Sequence, residues 1–211
     1  MSKNYFIAMS GNIGSGKTTA AKLLNRSLGL DLYDEPVVAN RFLAKYYADM
    51  PRWSFTLQME FLLKRIRHLE QIGQMTRSSV QDRTLHEDPE IFAKYLHGLG
   101  FLTDDELDLY FDYFHRLSKD VVQPDLVVHM HIGDVDTLME RIKERGRVEE
   151  QNIKREFLAG LEAYYTTFVQ VCEHKYGLKV LQWDASKVDI RTPEGGELFV
   201  SKVKEALPGL N

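Results

Sequence analysis

Short apolar runs alternate with longer amphipathic stretches along the whole chain, and that alternation predicts an α/β architecture. The apolar runs place strands at 5–9, 31–34, 79–81, 126–132 and 179–182. Between them, apolar positions recur at helical spacing and predict helices at 17–28, 38–48, 52–76, 88–97, 104–122, 135–144, 153–173 and 194–206. Thr103 ahead of Asp104-Asp105-Glu106 reads as an N-cap with an acidic first turn. Pro124 and Gly177 punctuate two helix-to-strand transitions. No repeat, low-complexity tract or linker interrupts the pattern, so one domain over 1–211 is expected. Strands separated by helices pair in parallel. A five-stranded parallel sheet flanked by helices is expected, with ligands at the carboxyl ends of its strands.

Composition changes this picture little. Hydrophobic content of 44% and charged content of 27% are those of a soluble globular chain. A net charge of -4 gives no overall pull toward a nucleic acid polymer or an anionic membrane. The one cysteine, Cys172, excludes an intramolecular disulfide, and its setting in Phe168-Val169-Gln170-Val171-Cys172 predicts a buried structural thiol. No apolar run approaches the roughly 20 residues of a membrane span, and the first strand begins too early for a signal peptide. A cytoplasmic protein is expected.

The chemistry begins at Ser10-Gly11-Asn12-Ile13-Gly14-Ser15-Gly16-Lys17-Thr18-Thr19, where Gly11 to Thr18 fits G-x-x-x-x-G-K-[ST] between a strand and a helix. In such a loop, successive N–H groups point at phosphate oxygens and the helix N-terminus adds partial positive charge. Lys17 would reach the β- and γ-phosphates, and the Thr18 hydroxyl would hold Mg²⁺. A nucleoside triphosphate is the expected donor. The other strand ends carry matching groups: Asp34-Glu35-Pro36, then Asp82-Arg83-Thr84, then Gly133-Asp134 leading to Arg141, Arg145, Gly146 and Arg147. Acidic and basic groups thus converge where the triphosphate would sit, as phosphoryl transfer to a hydroxyl requires. Glu35 is a candidate base and Asp82 a candidate Mg²⁺ carboxylate. Arg83 would hold the base or the phosphates. Segment 141–147 reads either as a hinged arginine lid or as a solvated, charge-mixed helix end.

The motifs Gly11 to Thr19, Glu35-Pro36, Arg52-Trp53-Ser54-Phe55-Thr56-Leu57-Gln58, Asp82-Arg83-Thr84 and Arg145-Gly146-Arg147-Val148-Glu149-Glu150-Gln151 stand in the order and spacing of deoxyribonucleoside kinases. The chain resembles the deoxycytidine/deoxyguanosine/deoxyadenosine kinase branch over nearly its whole length, and its shortness resembles bacterial members. The resemblance implies a P-loop kinase fold, three-layered α/β/α with an arginine-rich lid, that phosphorylates a deoxynucleoside 5′-hydroxyl using ATP and Mg²⁺. It implies Glu35 as general base beside Arg83, and Asp82 in place of the glutamate of animal members. Tyr47 and Glu150 would hold the sugar 3′-hydroxyl, Gln58 would read the base edge and Phe92 would stack on the base. Arg141, Arg145 and Arg147 match the lid arginines. Arg65 and Asp88 match a charged pair in members that take amino-bearing bases, which favours deoxyadenosine, deoxyguanosine or deoxycytidine, and the resemblance to short bacterial members, many of which prefer purines, leans toward deoxyadenosine or deoxyguanosine. The same two residues also read as a structural salt bridge. Asn40 stands where animal deoxycytidine kinases have tryptophan, so the sugar-side wall differs.

Elsewhere, Trp53, Phe55 and Phe61 on a long helix read as core, and 183–196 as the flank of the donor base. His129 and His131, alternating with Met130, read as one strand face rather than a metal site. Tyr110, Phe111, Tyr113 and Phe114, with Leu107 and Leu117, give one helix an excess of aromatic surface and suggest a homodimer. Two alternatives remain: a thymidylate-type monophosphate kinase, disfavoured because Glu35 would repel the acceptor's phosphate, and a non-catalytic nucleotide-binding subunit.

Overall fold

The structure, a computed structural model, describes residues 3–34, 40–150 and 152–210, with the backbone alone at Glu149. Five strands form one sheet: β1 (Phe6–Ser10), β2 (Asp31–Tyr33), β3 (Ser79–Gln81), β4 (Leu126–His131) and β5 (Val180–Asp184). Their order is β2-β3-β1-β4-β5, and every pairing is parallel. The chain fills one side of β1 and then crosses to the other, so the crevice above the β1 carboxyl end is where ligand sites open in such sheets.

All five residues of β1 are buried, because both faces of the sheet are covered. Ile7 and Met9 pack on one face with Ala20, Ala21 and Leu24 of α1 (Lys17–Leu28) and Phe199 of α8 (Pro193–Ala206). Phe6 and Ala8 pack on the other with Leu62, Ile66 and Leu69 of α3 (Met50–Gln74) and Tyr110 and Phe114 of α5 (Asp104–Ser118). The period-2 alternation of a strand thus builds two cores and three layers.

Several boundaries differ from the sequence expectation for local reasons. Helix α3 starts at Met50 rather than 52, because Asp49 accepts the Arg52 N–H (3.2 Å) and Pro51 is tolerated in a first turn. The helix expected over 38–48 is α2 (Leu43–Ala48), its first two positions lying outside the described residues. The expected helix 88–97 is a π-turn (Asp88–Ala93) running into α4 (Lys94–Gly98). That expected over 153–173 is α7 (Arg155–Gln170) followed by a π-turn (Val171–Lys175). Helix α6 (Val135–Arg145) ends at Gly146, whose φ of 67° a side-chain-bearing residue would resist.

The aromatic surface expected on α5 is a correction. Tyr110 and Phe114 are buried in the α3/α5 core, and the residues left strongly exposed are Leu109 and Tyr113. Cys172 is buried, and burial pushes its thiol up to about 12. Among the described residues, no helix is long and apolar enough to cross a membrane.

Two buried imidazoles make stability depend on pH. Burial holds His86 and His129 down to about 4, while an unfolded histidine titrates near 6.5. The unfolded chain takes up protons that the folded chain refuses. Stability is therefore full above about 6.5 and declines as the pH falls toward 4. The expected loss between pH 7 and pH 5 is about 2 kcal/mol per histidine. Urea denaturation at the two pH values should show it, and coincident midpoints would contradict it.

Candidate active site

The loop after β1 is built so that backbone lines it. Gly11 adopts φ 141°. A Cβ there would lie 2.4 Å from the Met130 carbonyl oxygen and 2.6 Å from Ser15 Oγ, so neighbouring backbone leaves no room for a side chain. Asn12 fastens the loop: its Oδ1 accepts the Ile13 N–H (2.8 Å), and its Nδ2 donates to the Leu158 carbonyl (3.1 Å) and Glu162 (2.8 Å). Lys17, the first residue of α1, is buried, and its ammonium donates to the carbonyls of Gly11 (2.8 Å) and Asn12 (2.9 Å). Next to it, the Thr18 hydroxyl donates to Asp82 Oδ2 at 2.5 Å. A hydroxyl from the first turn of α1 and a carboxylate just past β3 thus stand together, the hard oxygen donors that suit Mg²⁺.

A cavity of about 640 Å³ opens beside this loop. Ile13, Gly14, Ser15, Gly16, Lys17, Thr18 and Thr19 line one end, and Tyr47, Gln58, Arg65, Arg83, Asp88 and Phe92 line the other. Gly11, Asn12 and Asp82 are not in its wall; they support residues that are. Phe61 lines the cavity, which corrects its assignment to the core alone, whereas Trp53 stacks on Phe42 with ring centres 5.7 Å apart. Glu35 lies outside the described residues.

Another part of the wall carries buried polar groups. Arg65 is 1% exposed and Asp88 2%. Arg65 donates twice to that carboxylate (Nε to Oδ2, 2.7 Å; Nη2 to Oδ1, 3.3 Å) and once to the Arg83 carbonyl (3.0 Å). Burial raises the Asp88 pKa, and Arg65 and Arg83 pull it back. The pair is therefore both a buried salt bridge and part of the cavity wall, so the two sequence readings are compatible. Gln58 is 3% exposed, and among the described residues its carbonyl oxygen has no hydrogen-bond partner.

Arg83 is the one non-glycine among the described residues with positive φ, at 74°. Such a conformation costs about 1–3 kcal/mol and persists where surrounding contacts fix it. Its guanidinium lies 4.7 Å from the centre of the Phe92 ring. Phe92 and Asp88 both sit on the π-turn, which brings them to the same wall.

The arginine segment covers the loop end. Arg141 in α6 donates to the Ala185 carbonyl (3.2 Å). Arg145 and Arg147 flank Gly146, and both bond Glu150 on a short turn (Val148–Glu150), Arg147 at 3.2 Å. Glu150 is thus engaged by the lid arginines here, and shares the cavity wall with Tyr47. Val188, Asp189, Ile190 and Arg191 line the cavity too, where the sequence placed the flank of the donor base.

Sequence reasoning missed Glu87 and Tyr165. Glu87 is fully buried and accepts from the Gly11 N–H (3.1 Å), Thr84 N–H (2.8 Å), Arg83 Nη1 (3.0 Å) and the Tyr165 hydroxyl (2.6 Å). Its one signal was its place four residues after Arg83; Tyr165, on α7, gave none. His129 is buried beside them, its ring 5.8 Å from that of Tyr165, while His131 on the same strand face is exposed.

Residues 7–208 match the protein family described as deoxynucleoside kinase. A deoxyadenosine kinase of Dictyostelium discoideum is 40% identical over 78% of this chain and 66% of its own length. A deoxyguanosine kinase of Bacillus subtilis is 30% identical over 96% of this chain and 97% of its own. The solved structure of a deoxyadenosine kinase from M.mycoides with bound dATP superposes with a TM-score of 0.83 at 29% identity, covering 95% of this chain and all (100%) of that one.

Proposed function

This chain belongs to the deoxynucleoside kinase family, and we propose that it transfers the γ-phosphoryl group of ATP to the 5′-hydroxyl of a purine deoxynucleoside, deoxyadenosine first. The observation that carries this reading is one cavity lined both by the phosphate loop and by the Gln58 carboxamide with the Arg65–Asp88 pair. An exocyclic amine is the donor such a wall asks for. Relatives described as deoxyadenosine and deoxyguanosine kinases support the purine preference.

The residues divide the work between donor and acceptor. Loop N–H groups, Lys17 and the α1 terminus hold the triphosphate of the donor, with Arg141, Arg145 and Arg147 closing over it. Thr18 and Asp82 are the residues that would hold Mg²⁺, which when bound neutralises charge between the β- and γ-oxygens. Phe92 stacks on the acceptor base, Gln58 reads its edge, and Tyr47 with Glu150 holds the 3′-hydroxyl. Arg83 steadies the 5′-oxygen. Glu35, two residues after β2 in the sequence, takes the hydroxyl proton as the oxygen attacks, and the leaving ADP departs in line. A homodimer through α5 is consistent with exposed Leu109 and Tyr113; a monomer by sedimentation at micromolar concentration would remove it.

Incubation with ATP and either deoxyadenosine or its monophosphate tests the reading. Conversion of the nucleoside, not the monophosphate, is expected; the reverse would identify a monophosphate kinase. Glu35→Gln is expected to lower kcat by about 10³-fold with little change in nucleoside KM. Equal loss in both would make Glu35 a positioning group.

A further inference from the structure

The carboxylate of Glu87 joins the two halves of the cavity from behind. It touches neither half's ligand space, since it is wholly buried and absent from the cavity wall. One oxygen, Oε1, takes the N–H of Gly11, where the phosphate loop begins, and Nη1 of Arg83, the arginine at the acceptor end. The other, Oε2, takes the N–H of Thr84, directly after the strained Arg83 backbone. Tyr165 on α7 closes the set, its ring oxygen 2.6 Å from Glu87 and 2.9 Å from Arg83 Nη1.

We propose that Glu87 is a positioning residue that sets the distance between the donor loop and Arg83, and so the alignment of the γ-phosphoryl group with the attacking oxygen. Three properties carry this. The contacts come from the loops that follow β1 and β3 and from α7, so no single element could hold Arg83 in place alone. Arg83 has an unfavourable φ, and the Thr84 N–H bond to Glu87 holds the adjoining backbone in it. The contacts are charge-assisted and removed from water, the setting in which hydrogen bonds fix geometry best. In-line transfer is sensitive to this distance, because a misplacement of about 1 Å can cost roughly 10²-fold in rate.

The inference rests on the cavity being a phosphoryl-transfer site, which the wild-type protein tests first by converting deoxyadenosine with ATP. Absence of that activity overturns the functional reading itself, whereas substitutions at Glu87 and its partners test the positioning role alone. Glu87→Gln keeps the shape and one acceptor oxygen but loses the charge and the bond to the Thr84 N–H. Its kcat is expected to fall by about 10²-fold, with KM for ATP and deoxyadenosine within about three-fold of wild type. In an Arg83→Lys background the same change should cost little more, since both act through one guanidinium. Tyr165→Phe leaves the carboxylate in place and keeps the fold whatever Glu87→Gln does; it should lower kcat roughly five-fold. Activities are read at a temperature where circular dichroism shows each variant folded. A kcat within about two-fold of wild type for Glu87→Gln, or for Tyr165→Phe if Glu87→Gln does not fold, overturns the proposal. So does a full, additive loss in the Arg83→Lys background.

Discussion

Lys17→Met is expected to lower kcat by about 10²–10³-fold while the protein stays folded, the scale seen when one buried donor to developing charge is lost. Methionine matches the length of the lysine stem, so packing at this buried position is kept. What disappears is the ammonium, which lies inside the curl of the loop 2.8 Å from the Gly11 carbonyl and 2.9 Å from that of Asn12. Those carbonyls hold it within reach of the phosphate positions, so little reorganisation is needed when a triphosphate arrives. The charge matters most as negative charge moves toward the leaving oxygen, so kcat should fall further than ATP affinity. Steady-state kinetics paired with ATP-binding calorimetry separates the two. An affinity loss with unchanged kcat would mean that Lys17 binds donor and transition state alike.

Asp88→Ala is expected to cost about 3–5 kcal/mol of stability, the scale of stranding a buried charge. Arg65 would keep its bond to the Arg83 carbonyl but lose a two-point partner in a place with almost no water. Base discrimination should relax in parallel, because the carboxylate no longer faces an exocyclic amine. Combining Asp88→Ala with Arg65→Met separates the two effects: stability should recover in large part, since a neutral pair replaces a broken ionic one, whereas discrimination should not. Thermal melts and substrate rankings for the wild type and the two variants check this. An unchanged ranking in Asp88→Ala would leave the pair a salt bridge and nothing more.

Much of this site was legible because its determinants are local. A strand, a glycine-rich turn, Lys17 and a helix succeed one another within the first thirty residues, and the structure keeps that order. The parallel sheet was implied by strands alternating with helices, and it placed Asp82, just past β3, against Thr18 in the first turn of α1. What escaped had no local signature. The π-turn at Asp88–Ala93 differs from an α-helix by less than one residue per turn, too little for apolar spacing to reveal across six positions. Glu87 lies close in sequence to Arg83 and Thr84 but meets Gly11 across 76 positions and Tyr165 across 78, and those two partners exist only in the fold. On α5, aromatic residues at 110 and 114 share a helical face with the core; composition registered the excess but not its direction.

The most direct measurement is kcat/KM with ATP for deoxyadenosine, deoxyguanosine, deoxycytidine, thymidine and adenosine under one set of conditions. The Gln58 carboxamide and the Arg65–Asp88 pair predict the amine-bearing bases ahead of thymidine, which offers no exocyclic amine, by about 10²-fold or more, and the proposed purine preference puts deoxyadenosine first among them. Thymidine as the best acceptor, or no transfer to any of the five, would contradict the account.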